Sequence, residues 1–121
     1  MAEERKLDAN VLAKFAGSEV LYRHPLLPRV MYTEGVKYVA EEAGAYWLID
    51  EVAFAQRYEA GVAAEEFQLW SLSVTGNTAR LVCDDGNGNV LLQKAIDFTD
   101  FPEPGIKFYY TAGVLLLPSE Y

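Results

Sequence analysis

The sequence predicts an α+β fold, with N-terminal helices packed on one face of a C-terminal, four- to five-stranded antiparallel sheet built as a meander of hairpins. Before about residue 66, apolar residues recur at three- and four-residue spacing in alanine-rich segments; after it, short β-rich runs are separated by turn residues. The runs are joined by TGNT and DGNGN, whose Gly and Asn tolerate positive φ and so close hairpins. No helical stretch separates the late runs, so they lack the crossover a parallel βαβ pair requires. The reading is a single domain over residues 1–121, helical over about 8–60 and sheet over about 67–117.

The first helix is expected from Asp8, an N-cap type, through Val11, Leu12 and Phe15 to a stop at Gly17. In LYRHPLLPRV (21–30), Pro25 and Pro28 lack amide donors and restrict their predecessors, which predicts an irregular or extended connector. Thr33 is placed to cap a second helix, with Val36, Val39, Ala40 and Ala43 on its apolar side and Gly44 ending it. A third helix runs from Ala45 to about Glu59. At 100° per residue, Ala45, Leu48, Ile49, Val52 and Ala55 form one apolar stripe, and Trp47, Glu51, Phe54 and Tyr58 align on the opposite side.

After a GVAAEE connector, strands are expected at 67–74, 79–84, 90–98, 106–110 and 113–117. In the third of these, Val90, Leu92, Ile96 and Phe98 should share a face, interrupted by Lys94 with its aliphatic stem along apolar neighbours. The phrase Tyr-Thr-x-Gly-Val occurs twice, at 32–36 and 110–114, but is followed by a helical pattern in one case and a buried strand in the other. It is expected to mark two different turns, with Gly35 and Gly113 supplying backbone freedom.

With 121 residues, 51% of them hydrophobic and 23% charged, the chain has the composition of an ordinary globular protein. Its start, MAEERKLDAN, lacks the basic-then-apolar layout of a signal peptide, so a cytoplasmic location is expected. One cysteine, Cys83, excludes an internal disulfide, and one Cys with one His cannot assemble a structural zinc set. The net charge of −8 is concentrated in residues 34–66, which carry two basic and eight acidic groups. That field opposes nucleic-acid backbones and anionic membranes, and favours a basic partner or serves solubility.

No stretch carries a complete catalytic or cofactor motif, and no metal or cofactor is assigned. His24 is the one imidazole available as a general base, but a base needs an orienting carboxylate that its neighbours in sequence do not supply. DDGNGN offers Asp85, Asn87 and Asn89 at the first three calcium-loop positions, yet Val90 stands where the loop needs Gly and Ile96 where it needs Glu. AEEAGAYWLIDEVA has helix-turn-helix spacing, but its second helix would bring Asp50 and Glu51 to the phosphates and no cation. The adjacent acidic pairs diverge by 100° on a helix, as solvated faces do.

YTEGVKYVAEEAGAYWLID (32–50), FQLW (67–70) and GVLLLPSEY (113–121) together resemble an uncharacterised family of small bacterial proteins, often found in plasmid and phage-like contexts. The resemblance spans the chain from about residue 15 and implies no activity and no site residue. It implies a mobile-element origin, in which proteins often act by binding host machinery.

The sequence therefore points to a non-enzymatic, acidic module that binds another protein with a basic surface through Trp47, Asp50, Glu51, Phe54 and Tyr58. An inhibitor or DNA mimic acting on host machinery is its sharper form. Two alternatives stand beside it: a small metal-dependent hydrolase or nuclease using clustered carboxylates and His24, and a structural homodimer built on the aromatic stripe or an edge strand.

Overall fold

The structure, a computed structural model, describes residues 7–12, 14, 15 and 20–121. The α+β class is as the sequence predicts, but the sheet is larger and mixed. Among the described residues, seven strands form one sheet: β1 (Leu21–Arg23), β2 (Met31–Thr33), β3 (Phe67–Thr75), β4 (Thr78–Asp84), β5 (Val90–Ile96), β6 (Gly105–Thr111) and β7 (Val114–Leu116). Their spatial order is β1-β2-β7-β6-β3-β4-β5, antiparallel throughout except for the parallel pair β2–β7.

Residues 21–33 form a hairpin and not the irregular or extended connector that their prolines suggest. Both prolines fall in the loop between β1 and β2, outside the ladder, so the three-residue arms on either side are free to pair. The His24 amide closes the loop on the Val30 carbonyl at 2.9 Å. β2 then lies against β7, with Met31 opposite Val114 and Tyr32 opposite Leu115.

The first helix is described as α1, Ala9–Leu12, capped by Asp8, whose Oδ1 accepts from the Asn10 amide at 2.8 Å. The expected stop at Gly17 lies outside the described residues. Thr33 caps α2 (Glu34–Glu42) by accepting from the Val36 amide, and Gly44, at φ 61°, turns the chain into α3 (Tyr46–Tyr58). In place of a connector, Ala60–Ala63 form a short helix, α4. No helix among the described residues is long and apolar enough to cross a membrane.

The predicted stripe of α3 is the core face: Ala45, Leu48, Ile49, Val52 and Ala55 are all buried. They join one cluster with Trp70, Leu72 and Val74 of β3, Leu81 and Cys83 of β4, and Phe108 of β6. Burial alternates along β3, as expected for a sheet with helices on one side. Gln68 is the polar exception on the inward face. Its amide exchanges hydrogen bonds with the Gln56 amide at 2.7 and 2.9 Å, donates to the Val62 carbonyl at 2.8 Å, and accepts from Trp70 Nε1 at 3.0 Å. Burial leaves this group no unmade bond.

β5 departs from its predicted face. A bulge at Cys83/Asp84 sets Val90 opposite Asp84 and Leu92 opposite Cys83, so Val90 no longer follows the Leu92 parity. The strand stops at Ile96, leaving Phe98 exposed beyond it. Lys94 points to the helix side, opposite buried Leu81, and its ammonium reaches Glu51 of α3 at 2.6 Å. An inward-facing lysine on the edge strand is a common guard against edge-to-edge pairing.

Candidate functional site

The residues singled out on α3 divide into three environments. Trp47, in the first turn, is half-buried and packs on the core. Asp50 and Glu51 are each engaged within the chain: Asp50 Oδ1 meets His24 Nε2 at 2.7 Å, and Glu51 meets Lys94. Phe54 and Tyr58, one turn apart, are 37% and 72% exposed and stack with centroids 6.3 Å apart.

His24 now has the carboxylate its neighbours in sequence lacked, and still has no free lone pair. The ring is 2% exposed, and Nδ1 accepts the amides of Leu26 and Leu27, each at 3.1 Å. A nitrogen that accepts is unprotonated, so the neutral ring carries its proton on Nε2 and donates it to Asp50. Both nitrogens are thus committed to holding the 24–30 loop against α3, and neither can take a proton from a substrate. Phe54 and the same imidazole pack in a T-shaped pair, at 5.8 Å between centroids.

That staple shapes the surface beside it. Leu26, 71% exposed, stands in the 24–30 loop, its amide donating to the His24 ring that Phe54 contacts. Behind it a groove of about 700 Å³ runs between the loop and α3, with Leu26, Leu27 and Pro28 on one wall and Arg29, Arg57 and Tyr110 around the rest. A neighbouring cavity of about 540 Å³ shares Gln56 and Tyr110 and continues to Glu65, Glu66 and the β6–β7 turn. Arg57 also lies 5.9 Å from the Tyr58 ring centre. Burial pushes the Tyr110 phenol above its ordinary value, so it remains a donor at neutral pH.

Residues 6–121 match the model of a family of unknown function, DUF6876. The chain belongs to that family. The match begins earlier than the resemblance suggested, taking in the α1 region. No curated protein and no solved structure matches the chain.

Membership assigns no residue a role, so the site rests on geometry. Among the described residues, no group of three or more His, Cys, Asp or Glu side chains is arranged to hold a metal ion. DDGNGN is a hairpin turn organised by Asp85, which accepts from the Asn87 amide at 2.9 Å and from Asn89 Nδ2 at 2.8 Å. Those bonds, the Asn89 side chain first, hold its carboxyl below the usual range. Leu26, Arg29, Arg57 and Tyr110 were not singled out from sequence. Only Leu26 carried a local signal, an apolar residue held between two prolines in a loop.

Proposed function

We propose that this protein is a non-enzymatic binding module that engages another protein through the surface made by Leu26, Phe54 and Tyr58. The observation that carries the reading is the exposed Phe54–Tyr58 stack on a helix whose opposite stripe is fully buried, with Leu26 exposed on the loop that His24 holds to that helix. Large apolar groups held outward on a rigid helix and a stapled loop are the anchors protein interfaces favour, because little side-chain entropy is lost on contact. The charge of the contact differs from the sequence expectation. Asp50 and Glu51 are satisfied within the chain, so rings, and not carboxylates, supply the anchor. For the same reason those two acids lend no support to a DNA-mimic form, and the occupied nitrogens of His24 lend none to a hydrolase.

A photo-crosslinking residue at position 58 tests this, with the same residue at position 78, the exposed first residue of β4, as control. In the cells that make the protein, position 58 should capture a discrete protein partner that position 78 does not. Phe54→Ser should abolish that capture while leaving the circular dichroism spectrum unchanged. Equal capture from both positions would defeat the assignment.

A further inference from the structure

We propose that the groove between the 24–30 loop and α3 binds an acidic segment of the partner protein, with a carboxylate held by Arg29, Arg57 and the Tyr110 hydroxyl. The proposal rests on the protein-binding reading and specifies what the partner brings. The chain has 18 acids against 10 Lys and Arg, so acids are plentiful. Yet neither Arg29 nor Arg57 forms an ion pair with a carboxylate among the described residues, whereas Lys37 and Lys94 each do. Two guanidiniums lining one groove are free to offer their planar forks to an incoming carboxylate.

Tyr110 is an independent observation pointing the same way. It is 9% exposed, and its hydroxyl makes no hydrogen bond among the described residues. Among the described residues, Glu120 Oε2 is the fully buried side-chain oxygen or nitrogen left unpartnered; the Tyr110 hydroxyl therefore still reaches solvent, and the residue lines both cavities. A nearly buried donor facing an open groove is a group whose bond is completed by what enters. Gln56, beside it, is already committed to Gln68 and the Val52 carbonyl.

The shape favours a chain segment over a small anion. Leu26, Leu27 and Pro28 offer apolar contact for residues flanking the carboxylate, and Arg57 of the groove also lies against the Tyr58 ring of the stack. Past Tyr110, Glu65 and Glu66 would repel further negative charge, so the occupant is acidic at one end and not throughout. The overall charge of −8 opposes an acidic ligand at a distance, but at about 0.15 M salt fields beyond roughly 8 Å are screened and the local arginines decide.

The test is panning of a random-peptide phage library on the full chain, followed by calorimetry of the enriched peptides. Enriched sequences should carry Asp or Glu next to apolar residues. The best peptide should lose about tenfold or more in affinity on R29E/R57E, and several-fold on Y110F. Replacing its acid by the amide should cost a similar factor, with no further loss on the arginine variant. Enrichment without acids, no enrichment, or equal affinity for R29E/R57E would overturn the proposal. A peptide that ignores R29E/R57E but is lost on F54S/Y58S would overturn it and leave the protein-binding reading standing.

Discussion

His24 Nε2 lies 2.7 Å from Asp50 Oδ1 while His24 Nδ1 accepts two amides of its own loop, so one buried side chain joins the β1–β2 hairpin to α3. The groove exists because of that join. His24→Ala removes three hydrogen bonds and leaves two loop amides to find water, which should lower stability by about 1–3 kcal/mol in urea unfolding. Asp50→Asn should cost less, since the Asp50 side chain is half exposed and keeps an acceptor. Long-range ¹H–¹⁵N correlation should show the Nε2–H tautomer; a protonated Nδ1 in the neutral ring would refute the staple.

Gly35 matters for the space above it more than for backbone freedom. A Cβ there would sit 2.6 Å from Glu120 Oε1 and 2.8 Å from Leu117 Cδ1. Glu120 is held at the start of α2 by the Thr33 hydroxyl, which donates to it at 2.6 Å, and by the Leu117 amide at 2.9 Å. A carboxylate is favoured beside the positive end of a helix. Gly35→Ala should therefore displace the C-terminal turn and cost about 1–3 kcal/mol. In the double variant with Glu120→Ala the losses should fall short of their sum, whereas strict additivity would show that the two residues do not compete for this space.

What could be read from sequence follows the range of the interactions. Thr33, Gly44 and the Val36–Ala43 spacing set α2 through contacts a few residues apart, and Gly76, Gly86 and Gly88 mark the hairpin turns by positive φ. The β1–β2 hairpin was hidden because Pro25 and Pro28 dominate the local pattern, although they occupy only its loop. The β2–β7 pair joins residues about eighty positions apart, for which the sequence holds no local signal. At the site, the three-to-four periodicity gives the face shared by Trp47, Phe54 and Tyr58. It does not say where along that face the core contacts stop, so Trp47 is packed and Tyr58 exposed. Arg29, Arg57 and Tyr110 come from a loop, a helix and a strand, and only the tertiary fold brings them to one groove.

Cys83 is fully buried on β4, and its thiol is pushed up to about 12, by burial first and then by the Asp84 and Glu65 charges. The folded state thus holds the proton more tightly than the unfolded one. As pH rises above the ordinary value of about 9, the unfolded chain loses that proton and the folded chain does not, so stability should fall from pH 9 toward 12. At pH 8 the native thiol should resist a disulfide reagent, and its labelling rate should rise with urea in step with unfolding. Fast labelling without denaturant would contradict the packing described for β4.

Ala112 and Gly113 form the β6–β7 turn at φ 52° and 79°, so both central residues adopt the left-handed conformation of a type I′ hairpin. Glycine accepts this freely, but alanine carries a Cβ that strains it by about 1–2 kcal/mol. Asn relieves part of the strain through its local hydrogen bonding without glycine's entropy in the unfolded chain. Ala112→Asn should therefore stabilise the protein by roughly 0.5–1 kcal/mol, read as a rise of a few degrees in melting temperature. The turn borders the cavity shared with Tyr110 and Gln56, and its far side anchors β2, since the Met31 amide donates to the Gly113 carbonyl at 2.9 Å. A stabilising Ala112→Asn should consequently leave binding at the Arg29–Arg57 end unchanged. A gain in affinity there, with no change in melting temperature, would place the strain of Ala112 in the service of the groove instead of the hairpin.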